Sequence, residues 1–256
     1  MTTSAVGPVV TNFAREVGRR LERLVALAAD GGLDAAIDLM TRAIDAGAVI
    51  QAFGTGHSEA FAMEIAGRAG GLIPTNRIAL RDLVLRGSLS VEDLGGSSLE
   101  RNPEIVTELW QISPIHPGDV FIIASNSGVN GSVVGMALLA KEKGHHVIAV
   151  TSLEHTAQVA PKHPSGQRLS EVADVVIDNL APYGDATLAL HGGVAVGSVS
   201  SITSAFIAQL LTIGVADRLS GDRRVPPLYL SANIPGGDEH NRVLETKYEG
   251  RIRRGT

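Results

Sequence analysis

Apolar residues in this chain come in short unbroken runs separated by longer stretches of helical spacing. Ala48–Phe53 and Val120–Ala124 show no alternation between apolar and polar positions. A strand that is apolar on both faces is covered on both, as in a parallel sheet. His146–Val150 and Ala173–Ile177 read as further strands, and Leu72–Leu80 as another. Between them lie helical stretches: Glu59–Ala69 carries Phe61, Ile65 and Ala69 on one side, and Pro103–Ile112 has proline in its first turn. A third opens at Val133 and ends at Lys141–Gly144. Ser200–Leu219 is one long apolar helix, closed by Gly221. Five strands alternating with helices predict an α/β fold with a doubly wound parallel five-stranded sheet.

The rest of the chain brackets that sheet. Asn12–Ala29 places Val17, Leu21, Leu24, Val25 and Ala28 on one helical face, with its arginines mostly off it. Leu33–Ala46 is a second helix. One sheet face does not require both, so residues 1–46 are expected to form a packing or oligomerisation element. Residues 47–221 form the main domain, and 222–256 a C-terminal loop and short helix. Three stretches read as irregular: Arg81–Asn102, His155–Ser170 and the Gly-rich Leu180–Gly197. Val225–Leu230 predicts an edge strand, because two prolines cannot sit in a central one. Ser231–Asn241 reads as a polar loop.

Two strand ends carry the candidate chemistry. The strand Val120–Ala124 runs into Ser125-Asn126-Ser127-Gly128-Val129-Asn130-Gly131-Ser132 and then a helix. Such a turn aims hydroxyls and free backbone N–H groups at one point, and the helix start favours an anion. A helix cap needs one hydroxyl, and three serines are offered here. Without a lysine, the turn suits a phosphate monoester held by neutral donors. The strand Ala48–Phe53 runs into Gly54-Thr55-Gly56-His57-Ser58, and its glycines let backbone approach a ligand closely. This resembles the start of a dinucleotide fingerprint, but position 59 is Glu where the third glycine belongs. In doubly wound sheets ligands sit beyond the carboxyl ends of the strands, where these turns converge.

Composition narrows the field. The chain has 256 residues and a net charge of −5, which argues against nonspecific nucleic-acid binding. It has no cysteine, so no disulfide or thiolate chemistry. No run of about 18 apolar residues stands out, and the first ten residues lack a signal-peptide pattern, so a cytoplasmic protein without membrane contact is expected. Asp238-Glu239-His240 are adjacent and cannot all face one ion on a regular element, so no metal is expected, and no cofactor.

The two turns, with the strands IAVTS and ADVVIDN, resemble the sugar isomerase (SIS) domain, over roughly Ala48 to Leu219. The whole chain, with its NIPGGDEHN stretch, is similar to a family of stand-alone SIS proteins, the UPF0309 group. The resemblance implies a flavodoxin-like sheet, a phosphorylated sugar as ligand and pairing of subunits into a homodimer or homotetramer. It implies that Gly54, Gly56, Ser58, Ser125, Asn126, Ser127, Gly128, Asn130, Ser200 and Ser201 hold sugar or phosphate. Phosphoheptose isomerases carry Gln-Glu-x-His on the helix equivalent to Ser200–Leu219, which here has no such acid or histidine. The N-acetylmuramic acid 6-phosphate etherases carry Ser-Ser, Ala and Ala-Gln there, matched by Ser200, Ser201, Ala205, Ala208 and Gln209.

These features point to a lyase on an amino-sugar 6-phosphate such as N-acetylglucosamine 6-phosphate. A carboxylate removes the acidic C2 proton of the opened sugar, and the C3 oxygen leaves. An aldose–ketose isomerase and a noncatalytic sugar-phosphate sensor are the alternatives. Glu64 is the expected base, with Glu59, one turn earlier, competing. His57, inside the Gly turn, is a candidate for ring opening or proton donation. His240 is a candidate to reach a site, a neighbouring subunit's included, and His191 a weaker one.

Overall fold

A computed structural model describes residues 7–221 and 224–253. Its centre is a parallel sheet of five strands: β1 (Ile50–Gly54), β2 (Thr75–Ile78), β3 (Val120–Ala124), β4 (His146–Thr151) and β5 (Val175–Asp178). They lie in the order β2-β1-β3-β4-β5. Ile50 pairs with both Thr75 and Val120, and Val150 with Ala124 and Ile177. Chain order reverses between β1 and β3, so the crevice at their carboxyl ends is where this topology places a ligand.

The unbroken apolar runs are explained by two cores. Ile50, Ala52, Val120, Ile122, Ala124, Ile148 and Val150 face one core, while Phe53, Phe121, Ile123, Val147 and Ala149 face the other. Successive residues point to opposite faces, so both sets must be apolar. The first face is covered by α1 (Gly7–Ala29), α2 (Asp34–Asp45), α3 (Glu59–Ile65) and α10 (Ser200–Leu219). The second is covered by α4 (Asp82–Leu85), α6 (Ile105–Gln111), α7 (Gly131–Glu142) and α9 (Leu169–Val172). Two short helices, α5 (Ser98–Arg101) and α8 (Leu153–Gln158), sit at the carboxyl edge of the sheet.

Several expectations are corrected. Strand β2 is four residues long, not Leu72–Leu80, because Leu72 leaves the sheet to bridge Leu228. Val225–Leu230 joins no strand of the sheet: it makes that bridge and main-chain hydrogen bonds between Gly70–Ile73 and Pro227–Tyr229, so β2 itself is the edge. Helix α3 stops at Ile65, and Ala66 is extended. The stretch 180–197 contains an antiparallel hairpin, β6 (Ala186–Ala189) and β7 (Ala195–Ser198). Residues 81–102 hold α4, a 3-10 turn at Val91–Leu94 and α5, and the expected loop 155–170 begins inside α8. Residues 237–241 belong to a helix, α11 (Gly237–Glu245), followed by a 3-10 turn over Thr246–Tyr248. Helix α10 is long and apolar enough by length and composition to cross a membrane, although the sequence offered no such run. Here it packs on α1, α2 and α3.

The far pole of the sheet is closed by a buried carboxylate. Asp119 precedes β3 and its side chain is fully buried. Its Oδ1 accepts from the Val49 N–H (2.9 Å) and from Arg251 (2.7 Å). Its Oδ2 accepts from Gln51 Nε2 (2.9 Å) and the His116 N–H (3.0 Å). Gln51 Oε1 in turn accepts from Asn76 Nδ2, and Asn76 Oδ1 from the Arg253 N–H. Segment 251–253 is thereby tied beneath the sheet.

Candidate functional site

Two turns at the switch point build one side of a cavity of about 390 Å³. After β1 the chain turns at Gly54-Thr55-Gly56, then forms a 3-10 turn over Gly56–Ser58 before α3. Gly54 is obligatory: a Cβ there would lie 2.3 Å from the Ser58 carbonyl oxygen. Gly56 adopts φ +54°, which disfavours side chains. After β3, Ser125–Ser127 turn through Gly128 at φ +64°. The Gly128 N–H donates to Ser125 Oγ (3.1 Å), fixing that hydroxyl. Asn126 is braced by Asn179 Nδ2, which donates to its Oδ1 (3.1 Å). Thr55, Gly56, His57, Ser58, Ser125, Asn126 and Ser127 all line the cavity.

The rest of the lining comes from the start of α10, where Ser200 and Ser201 were expected, and from segments whose role the sequence did not reveal. Ser198, Ser200 and Ser201 lie there together with Asp185 and His155. Asp185, at φ +69°, caps α10: its Oδ1 accepts from the Ser200 N–H (2.7 Å) and Val199 N–H (3.1 Å), and its Oδ2 from Ser200 Oγ (2.7 Å). A carboxylate at a helix start is favoured there, which offsets the strained backbone.

Glu100 is the acid that the sequence reading missed. It lines the cavity from α5. Its main-chain oxygen accepts from Ser132 Oγ (2.8 Å), and its Oε1 accepts from Asn130 Nδ2. A Cβ on Gly56 would lie 3.2 Å from its Oε2, so the carboxylate spans the two turns. The segment reaches this place because α7 begins with glycine. A Cβ on Gly131 would lie 2.2 Å from the Arg101 carbonyl oxygen, and one on Gly135 3.3 Å from that of Pro103. Those glycines, one helical turn apart, were the available signal, but nothing near Glu100 itself marks it.

The other expected site residues do not gather here. Glu64 does not line the cavity. Its carboxylate accepts from Arg68 and from Gln209 Nε2 (2.6 Å), in the seam between α3 and α10. Six residues beyond Ser58, it sits about 9 Å along the chain axis, at 1.5 Å per helical residue. Glu59 is paired with Arg81 and lies 3.9 Å from Arg77. Asn130 spends its amide on Glu100 and lies outside the lining. The ring of His240 lies on α11, its Nε2 3.0 Å from the Leu228 carbonyl oxygen, and is not at the cavity. His191 is exposed in the β6–β7 connection. Among the described residues, no group of three His, Asp or Glu side chains is placed to hold a metal ion.

The cavity thus offers hydroxyls, two carboxylates and two imidazoles. Among the described residues, none that line it is lysine or arginine. An anion held there has hydroxyls, imidazoles and the main-chain N–H groups of the turn before α7 as its donors. A carboxylate and an imidazole on the same walls can move protons on whatever is attached to that anion.

Comparison with known proteins agrees with this architecture. The SIS domain model matches residues 12–152. A UPF0309 protein of Caldanaerobacter subterraneus is 34% identical over 94% of this chain and 98% of its own length. One from Geobacillus kaustophilus is 36% identical over 95% and 96%, and one from Geobacillus thermodenitrificans 37% over 95% and 96%. In fold the chain is similar to a candidate phosphosugar isomerase involved in capsule formation from Bacteroides fragilis (TM-score 0.55, 15% identity, 84% of this chain and 92% of that one). It is also similar to the c3406 protein of E. coli CFT073 in complex with A5P (TM-score 0.51, 15% identity, 87% and 96%). With a matching model over half its length and relatives aligned end to end, the chain belongs to the UPF0309 family of SIS-domain proteins.

Proposed function

We propose that the cavity binds a phosphorylated amino sugar and removes its C2 proton. The observation that carries this reading is the placement of the Glu100 carboxylate between the Gly54–Ser58 turn and the serine turn. The phosphate rests on Ser125 and Ser127, with neutral donors and the α7 start supplying its attraction. Ser58, Ser200 and Ser201 face the sugar. Glu100, rather than Glu64, is the base, because a base must come within hydrogen-bond reach of the proton it takes.

In the opened sugar, Glu100 takes the C2 proton and the electrons pass into the C1 carbonyl. They return to expel the C3 oxygen, which leaves with a proton from His57. Water is lost if that oxygen is a hydroxyl, and an alcohol if it is an ether. Of the etherase-like positions on α10, Ser200 and Ser201 reach the cavity, and they support this lyase outcome. Gln209 and Ala208 lie in the packing seam, so the isomerase outcome, in which the proton returns to C1, stands as the second reading. Proteins named as isomerases among those of like fold are its support. Incubation with a panel of hexosamine 6-phosphates separates the two. Loss of mass means lyase, an isobaric product means isomerase, and binding without change removes catalysis.

Ser125→Ala and Ser127→Ala should each weaken phosphorylated ligands by about tenfold, the scale of a hydrogen bond to a charged group. Equal affinity of the wild type for phosphorylated and free sugar contradicts the assignment. Gly131→Ala should lower turnover by up to about 100-fold, because displacing a reacting group by roughly 1 Å costs that much. Far-UV circular dichroism should stay unchanged, since the collision falls on a surface segment.

The reading includes a cytoplasmic location and a homodimer or homotetramer. Helix α1 buries Arg20 and Leu24 against the rest of the chain and leaves Val9, Val10 and Val25 exposed. A monomeric mass by light scattering at micromolar concentration contradicts the oligomer.

A further inference from the structure

His155 lies in a stretch that the sequence presents as polar loop, and the proposed reaction leaves it unused. It stands in the first turn of α8, immediately beyond β4, and is half-buried on the cavity wall. Its environment fixes the ring. The Gly184 N–H donates to His155 Nδ1 (3.0 Å). A main-chain N–H can only donate, so Nδ1 must be bare, and the neutral ring carries its hydrogen on Nε2. Tyr183 stacks on the imidazole with centroids 5.2 Å apart and planes 29° off parallel.

The connection that supplies Gly184 is itself stitched to α8. Ser152 Oγ donates to the Ala181 carbonyl oxygen (2.6 Å) and accepts from the His155 N–H (2.9 Å). The Tyr183 N–H donates to Glu154 Oε1 (3.0 Å). The same turn is tied to the serine turn: the Ser152 N–H donates to the Asn126 carbonyl oxygen (3.2 Å). A Cβ on Gly128 would lie 2.9 Å from Thr151 Oγ1 and 3.3 Å from Thr156 Oγ1, on either side of this turn. His155 therefore flanks the place assigned to the phosphate, with one nitrogen spoken for and the other bearing hydrogen.

We infer that His155 is a ligand-contacting residue that donates from Nε2–H to an oxygen of the bound phosphate, as a neutral ring rather than a cation. This rests on the phosphosugar reading of the same cavity. It adds what a site without lysine or arginine needs, a further donor for a dianion. It also makes the β5–β6 connection part of the binding apparatus, because Gly184 determines which nitrogen donates.

The test is ¹⁵N-histidine NMR of the wild-type protein, titrated with glucosamine 6-phosphate, inorganic phosphate and glucosamine. The expected result is a bare Nδ1 and a protonated Nε2 on His155 without ligand. The Nε2 resonance then moves saturably with the two phosphates and not with glucosamine. His155→Leu should weaken glucosamine 6-phosphate about tenfold or more, with the Ser125 and Ser127 amides still reporting the residual binding. A proton on Nδ1 overturns the inference. So does an unmoved Nε2 while the Ser125 and Ser127 amides shift saturably, and that result leaves the phosphosugar reading standing. If neither phosphate binds, both fall together. A purely structural role for His155 predicts equal loss for every ligand in the Leu variant and no movement of Nε2 in the wild type.

Discussion

Glu100→Gln should leave ligand binding within a few-fold of wild type and lower turnover by at least about 100-fold, the usual contribution of a general base. It should also abolish solvent deuterium exchange at C2. The substitution suits the test because the amide oxygen can still accept from Asn130, so α5 keeps its anchor, while the group that takes a proton is gone. Glu64→Gln is the companion experiment. It exchanges a carboxylate paired with Arg68 and Gln209 for an amide, and turnover should persist. The reverse outcome, with Glu64→Gln inactive and Glu100→Gln active, returns the base to α3 and removes the proposed geometry.

The second large effect is on stability. Asp119→Ala removes the acceptor for two main-chain N–H groups, an amide and a guanidinium, all at the closed pole of the sheet. Breaking a buried ion pair from one side costs about 3–5 kcal/mol, because the remaining charge is left uncompensated. At roughly 2–4 °C per kcal/mol for a chain of this size, Tm should fall by about 6–20 °C. Thermal denaturation by circular dichroism measures it, and a fall under about 3 °C means that water or rearrangement satisfies these groups. Arg251→Met should also lower Tm, since it leaves a fully buried carboxylate with three neutral donors and no counter-charge.

The sheet was legible because its chemistry is local. Phe53, Phe121 and Ile123 alternate with residues facing the opposite core, and a run buried on both sides has no other reading. The serine turn was legible for the same reason, since Ser125 to Ser132 are contiguous. The hairpin β6–β7 was not, because its strands are four residues long and at most half-buried, with Gly192 and Gly193 in the connection and Gly197 inside β7. Helix α11 was hidden by its Gly-Asp-Glu-His-Asn start, which reads as a loop until Asn241 is seen exchanging hydrogen bonds with Leu230. Glu100 was hidden most completely. A four-residue helix has no periodicity to detect, and its position depends on Ser132 and Gly131, about thirty residues away. Glu64 looked better from the sequence because it lies near the Gly turn along the chain, but helical rise carries it into the seam.

The pairing of Asp119 with Arg251 joins positions 132 residues apart. During synthesis the chain emerges in order, so β3 is complete long before its ion-pair partner exists. Until residue 251 arrives, a carboxylate placed at the base of the central strand has three donors and no counter-charge. The nascent sheet must then either keep that pole hydrated or delay closing it. Packing of the two apolar faces can proceed early, while the final consolidation waits for residues 251–253 to swing beneath the strands. Loop closure over so long a span adds entropy cost only slowly with length, so the delay is one of sequence order more than of search. Proteolytic removal of residues beyond Tyr248 should accordingly leave a protein that collapses at the normal rate but unfolds faster.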